Sequence, residues 1–314
     1  MLDTVNFFVE RAATPAGDPL AVAVFLSDIV ERNSEKAGYS VTGKMGDYTV
    51  NCFNGGISLK GSLPKYFLPS NVHTLTRATV QQAMESLSDS LHVDMSRAIL
   101  TRVDVSTVIP SQRPPADYYP YLGNKPHFRR LMATANTLYY TTAQRQIIFY
   151  DKTKEAAAKG AIIPPTLQGC NLLRYEVRYL KNLRKQFRQP DTPTGRLLYE
   201  PNFYSWLVCQ WAREFESITK LKQLSIMSDN LRTPKEVKNA VLSYALQRAG
   251  GSNLIEMAMA EARAKKLFDD PKAYTRLKTY LNEILATPTA ADNDSGDLMA
   301  ELEAAVSDIA KYAR

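Results

Sequence analysis

Histidine is scarce in this sequence, with three in 314 residues at His73, His92 and His127. They are far apart, and the absence of any H-x-H or H-E-x-x-H pair argues against a histidine-based metal site. Cysteine is as rare: Cys52, Cys170 and Cys209 form no C-x-x-C pair, and an odd count argues against a disulfide framework. All three read as small apolar packing residues of a protein from a reducing cytoplasm. No apolar run approaches the roughly 20 residues that a membrane span needs. The start, "MLDTVNFF", lacks the basic region that opens a secretory signal. There is no Walker loop, no G-x-G-x-x-G after a strand and no G-x-S-x-G elbow, which argues against an NTPase motor, a dinucleotide enzyme and an α/β-hydrolase. No fixed-period repeat and no long low-complexity segment occurs.

What is present is an ordinary globular composition, 45% hydrophobic and 23% charged, enough for one large or two medium domains. Lys and Arg number 39 against 32 Asp and Glu, for a net charge of +7 and a pI of about 9.1. That excess suits a polyanionic partner such as nucleic acid.

"LDTVNFF" predicts a first strand, and "DPLAVAVFLSDIVERNSE" has apolar residues at helical spacing. "GYSVTGKMGDYTVNCFNGGISLKGSL" predicts short strands broken by glycine turns, with Asn54–Gly56 as a hairpin signal. A helix is expected over "RATVQQAMESLSDSLH", a strand over "SRAILTRVDVSTV", and then a loop rich in proline and tyrosine, "IPSQRPPADYYPYLGNKPHF". "NTLYYTTAQRQIIFYDK" predicts two strands around a turn, "KTKEAAAKG" a short helix, "NLLRYEVRYLKN" a strand and "FYSWLVCQWAREFESITKL" a helix. "TPKEVKNAVLSYALQRAGG" carries a capping box, Thr233 to Glu236 with Pro234 at N1. The expected fold class is α+β, an antiparallel sheet with helices on one face, followed by a helical region. The expected divisions are residues 1–220 as a catalytic domain, 221–290 as helices, and 291–314 as a linker and a last helix.

Side chains alternate across a strand. In "ILTRVDVS", Arg102, Asp104 and Ser106 share one face; in "LLRYEVRYL", Arg174, Glu176 and Arg178 do; in "QIIFYDK", Ile148, Tyr150 and Lys152 do. Acidic residues are depleted in strands, so these faces require a reason. One reason is a solvated outer face with cross-strand ion pairs. The other requires the three strands to be neighbours with their charged faces aligned. Asp104 and Glu176 would then be oxygen ligands for Mg²⁺ or Mn²⁺ beside Tyr150. A phenol, with a pKa of about 10, needs nearby positive charge to become a nucleophile. Lys152 supplies it if the chain stays extended, Lys154 if the chain turns helical. The set suits attack on a phosphodiester. The run "RYLKNLRKQFR" offers Arg178, Lys181, Arg184, Lys185 and Arg188 to hold DNA, or is simply a solvated helix face. The tyrosines of "DYYPYLGNKPHFRR" offer base stacking, or ordinary loop packing.

In order, "MLDTVNF", "GGISLKGSLPKYF", "LSDSLH", "AILTRVDVS", "IIFYDKTKE" and "LLRYEVRYL" resemble the replication initiators of filamentous phages and related plasmids, the gene II/X class of rolling-circle endonucleases. The resemblance spans roughly Leu2 to Lys220. It implies a nicking and joining enzyme whose active tyrosine lies in Y-x-K-x-x-E, matched by Tyr150, with R-x-D at Arg102 and Asp104 and R-x-E-x-R at Arg174, Glu176 and Arg178. It implies that the tyrosine cuts one origin strand and keeps the 5′ phosphate, that the 3′ hydroxyl primes host polymerase, and that a second transfer reseals the circle without ATP. Related relaxases carry a His-hydrophobic-His metal pair; "LHV" has only His92, so carboxylates would hold the metal, with Asp3 and Glu155 as further candidates. Host helicase and polymerase are the implied partners in the bacterial cytoplasm, with no membrane. The C-terminal helices are candidates for origin reading, dimerisation as a homodimer, or helicase contact. The competing reading is a non-enzymatic initiator that binds duplex DNA through a capped helix and recruits host factors. A structural basic protein rests on net charge alone.

Overall fold

The computed structural model describes residues 1–35, 38–221, 233–286 and 298–312, apart from the side chains of 247 and 248. The chain forms two compact units, Met1–Leu221 with Met299–Arg314, and Lys222–Leu298. The first is α+β. Its strands are β1 (Leu2–Glu10), β2 (Ser27–Ser34), β3 (Gly38–Met45), β4 (Tyr48–Phe53), β5 (Gly56–Lys60), β6 (Ile99–Ser111), β7 (Arg129–Thr134), β8 (Thr137–Thr141), β9 (Arg145–Asp151) and β10 (Asn171–Tyr179). They make one ten-stranded antiparallel sheet in the order β2-β3-β4-β5-β1-β6-β10-β9-β8-β7.

The helices of this unit are α1 (Leu63–Phe67), α2 (Arg77–Leu91), α3 (Lys152–Lys159), α4 (Leu183–Gln186) and α5 (Pro201–Glu216). The apolar face of the sheet packs under α5. Phe149 and Tyr175 stack with centroids 4.7 Å apart, and Tyr175 lies 4.7 Å from Trp211. Phe215 closes the same cluster, 5.7 Å from Tyr175. Asp151 caps α3, its Oδ1 accepting from the Lys154 amide at 2.9 Å, and Gly160 ends the helix in the left-handed region.

The described residues of the second unit form three helices: α6 (Pro234–Arg248), α7 (Ser252–Ala264) and α8 (Pro271–Leu285). The capping box at Thr233 and Glu236 is formed as expected. Ile255, Met259, Ala262 and Tyr274 make its core, with Leu277, Leu281 and Leu285 packed on them. The last helix, α9 (Leu298–Tyr312), belongs mainly to the first unit, where Glu301 accepts hydrogen bonds from the Gln112 amide and the Tyr118 hydroxyl. The linker expected over 291–297 lies outside the described residues, as does 222–232 of the expected helical region.

The structure corrects two expectations. The helical reading of "DPLAVAVFLSDIVERNSE" is overturned: Pro19–Phe25 is a 3-10 segment and Ser27–Ser34 is a strand. Asp28 at φ 51° breaks any continuous helix, and pairing with β3 gives the β-branched Ile29 and Val30 an extended place. The tyrosine-rich segment has no strand from Gln112 to Phe128, but β6 runs into its first three residues, as far as Ser111, and β7 begins at Arg129, where the sequence predicts none.

Trp211 is fully buried against Tyr175. Trp211→Ala is expected to lower unfolding free energy by about 3–5 kcal/mol. Chemical denaturation followed by far-UV circular dichroism checks this.

Candidate active site on the polar sheet face

β6, β10 and β9 are adjacent, and their register aligns the charged faces. Arg178 sits opposite Asp104, Glu176 opposite Ser106, and Arg174 opposite Tyr150. Directly opposed residues share a face, so Asp104, Glu176 and Tyr150 look out on the same side of the sheet, away from Tyr175 and Trp211.

Arg102, Arg178 and Tyr150 reach solvent from this face, but its acids do not. Asp104, Glu176 and Arg174 are buried. Each carboxylate is engaged by guanidinium groups. Arg102 grips Asp104 with two hydrogen bonds, 2.8 and 2.5 Å. Arg178 Nε donates to Glu176 at 2.6 Å and stands 3.7 Å from Asp104. Arg174 donates to Asp3 at 2.6 Å, to Ser106 at 2.7 Å and to the Asn71 carbonyl at 2.6 Å. Its Nε is buried with no hydrogen-bond partner.

Burial pushes the Asp104 carboxyl up to about 8; the Arg102 hydrogen bonds oppose this and the Glu176 charge adds to it. Asp3 is held below its ordinary value, chiefly by Arg174, against the effect of burial. Burial pushes the Tyr150 phenol well up; Arg174 pulls it down, while Glu176, Asp3 and Glu155 push it further up. At rest the phenol therefore keeps its proton. Tyr150 is nonetheless only half-buried, and among the described residues nothing hydrogen-bonds its hydroxyl.

The chain turns helical straight after Asp151, which decides the lysine question only in part. Lys152 points inward, its Nζ bonded to Asn71 at 2.9 Å and Glu155 at 2.6 Å. Lys154 is exposed and bonds Asn136 at 2.8 Å and, at 3.6 Å, Asp151. Neither bonds the Tyr150 hydroxyl. Burial, then Arg174, lowers the Lys152 ammonium. The other strand tyrosines separate cleanly. Tyr140 and Tyr175 are buried on the apolar side with hydroxyls bonded to backbone carbonyls, and Tyr139, opposite Ile148, shares the polar face.

The basic run is elsewhere. Lys181, Arg184, Lys185 and Arg188 are exposed beyond the Tyr179 end of β10, whereas Tyr150 faces Arg174 near its start. Five residues of strand separate those ends, ~17 Å at about 3.4 Å each. Arg184, Lys185 and Arg188 line a surface concavity with Asn182 and Gln189.

A divalent ion fits this arrangement poorly. Among the described residues no group of three or more His, Cys, Asp or Glu is placed to hold one. An ion at Asp104 and Glu176 would have to displace Arg102 and Arg178 from both carboxylates. Asn71 and Ser62 complete the cluster without any signal in the sequence, since they meet Lys152 and Asp3 only through long-range pairing, whereas Ser106, on the face that alternation assigns it, accepts from Arg174.

The family profile described as the N-terminal part of the phage replication-associated protein, the gene II product, matches residues 33–214. The chain belongs to this family. It is a phage-type replication initiator of the gene II kind. No curated protein matches the chain. The family match includes β3 to β10 and α5 as far as Glu214, hence Asp104, Tyr150, Arg174 and Glu176, and begins after β1 and Asp3. Among the described residues no helix is long and apolar enough to cross a membrane.

Asp104 has a folded-state value above its ordinary 3.8. Its contribution to stability is thus full below about 4 and is lost as pH rises through about 8, with a slope of at most about 1.4 kcal/mol per pH unit. Asp104→Asn should show a weaker fall in unfolding free energy over that interval than the parent. Urea titrations at stepped pH measure the difference.

Proposed function

We propose that this gene II-family protein nicks one DNA strand at a replication origin through Tyr150 and later reseals it. The observation that carries the reading is a half-open phenol, free of hydrogen bonds, directly opposite the buried Arg174. The Tyr150 oxygen attacks phosphorus, the bond from phosphorus to the 3′ oxygen breaks, and a 5′-phosphotyrosine remains. In this reading Glu176, diagonal to Tyr150 across β10 and β9, takes the phenol proton, and the departing 3′ oxygen takes a proton from water. Arg174 stabilises the phenolate as it develops. Resealing is the reverse transfer, in which the free 3′ hydroxyl attacks the ester, so no nucleotide is consumed. No step runs through a divalent ion; Mg²⁺ and Mn²⁺ are conditions to vary in the assay. Lys152 holds Glu155 and Asn71 in place, and Arg102 and Arg178 keep Asp104 and Glu176 fixed.

The resemblance to relaxases rests on the antiparallel sheet and this tyrosine. Host helicase and polymerase are the expected partners of the primed 3′ end. The alternative, a DNA-binding initiator without chemistry, predicts no covalent adduct at all.

Supercoiled origin plasmid incubated with the protein should yield nicked circles carrying protein on the 5′ end. Tyr150→Phe is expected to abolish the adduct while leaving DNA binding intact, and Tyr139→Phe to retain it. Mass spectrometry of the DNA-linked peptide reads both. An adduct in Tyr150→Phe would move the nucleophile, and none in the parent would favour the alternative.

A further inference from the structure

The polar face does not end at β6. Asn6 of β1 is opposite Arg102, Phe8 is opposite Ser58, and Ser58 is opposite Asn51, which is opposite Thr42. Arg32, in β2, is opposite Ser40. The side of the sheet that carries Tyr150 therefore continues across β1, β5, β4 and β3 to β2.

On this far half the face opens into a groove of about 440 Å³. Its lining includes Arg32, Thr42, Thr49, Asn51, Ser58 and Lys60, and among the described residues no carboxylate lines it. Arg32 and Lys60 are exposed. Lys44 adds a third cation at the margin, its Nζ 2.8 Å from the Thr49 hydroxyl. Towards β1 the groove meets an aromatic step. Phe8 and Phe53 stack 6.2 Å apart at 25°, both half-buried. Gly56 makes room for it, because a Cβ there would lie 2.9 Å from the Phe8 ring and 2.2 Å from the Val9 carbonyl.

Cations, hydroxyls and stacked rings on an open sheet face, with no acid among them, match the chemistry of an extended single strand of nucleic acid: phosphates to the cations, base faces to the rings. A duplex is read instead by an element that enters a groove. We infer that single-stranded DNA lies across the sheet, from the Arg32–Lys60 groove over Phe53 and Phe8 towards Arg102 and Tyr150. This rests on the reading that Tyr150 acts on a DNA strand, and it names the path that strand takes. Five strand intervals separate β4 from β9, ~24 Å at about 4.8 Å each, so the groove holds DNA several nucleotides from the reacting phosphate.

The test uses the full chain and a 5′-fluorescein 20-nucleotide single strand of mixed sequence, with binding read by anisotropy over a KCl series. Arg32→Ala/Lys60→Ala should weaken binding about tenfold and reduce the log–log salt slope by about 1.4, the value for two lost phosphate contacts. Thr49→Glu, which puts a carboxylate in the groove, should weaken it similarly. Both variants should keep the parent's circular dichroism, and a blunt duplex of the same sequence should bind them as it binds the parent. Unchanged affinity and slope would overturn the path. Equal losses on single strand and duplex would overturn the choice of a single strand, and failure of the parent to bind either would overturn the path and leave the face to a protein partner. Tyr150→Phe bound at parental affinity separates the two readings: an adduct formed by that variant sinks the nucleophile but not the groove.

Discussion

Three guanidinium groups hold together a buried polar sheet face. Arg102 holds Asp104 within β6 and Arg178 holds Glu176 within β10, while Arg178 beside Asp104 links β10 to β6 and Arg174 to Asp3 links β10 to β1. Taking such groups from water is costly, and only close pairing with hydrogen bonds offsets it. A one-residue slip of β10 would turn Arg174, Glu176 and Arg178 to the aromatic side, against Trp211 and Phe149, and away from Asp3 and Asp104. The ion pairs thus penalise every register but one. They also leave Tyr150 as an uncommitted polar group in a neighbourhood where nearly every other one is paired.

Much of this could be read from alternation alone. R-x-D in one strand and R-x-E in another announce a charged face, and the aromatic positions between them announce the core. The position of Tyr150 at a strand end followed from the abrupt charge after it. What could not be read was partnership. Nothing local says that Arg174 will meet Asp3, 171 residues away, or that Asn71 will close over Lys152. The same gap hides from the sequence that Arg102 and Arg178 engage the two acids expected to be metal ligands. The edge of the sheet failed for another reason. Apolar residues from Leu20 to Val30 have helical spacing, but Pro19, Asp28 and the ladder with β3 outweigh it. β7 escaped because "RRLMAT" has no clean alternation and is mostly exposed.

The two compact units separate tasks by physics as well as by sequence. The first invests its buried polar groups in a fixed geometry. The second has an ordinary small apolar core of Ile255, Met259 and Tyr274 under capped helices. α9 returns to the first unit, where Glu301 ties it to Tyr118 and pushes that phenol up to about 12, after burial, the larger cause. The tyrosine-rich loop is thereby anchored through Tyr118, and through Tyr119 bonded to the Asn136 carbonyl.

An open sheet of ten strands has two rims, β2 and β7, each with a row of backbone donors and acceptors facing outward. Such rims invite a further strand from another molecule. Here β2 carries Asp28, Glu31 and Arg32 and a register shift near Asp28; β7 opens with Arg129 and Arg130 and has a shift after Met132. A kinked, charged margin is a poor template for cross-chain pairing. Growth of the sheet by a strand from a second molecule is therefore disfavoured at both margins.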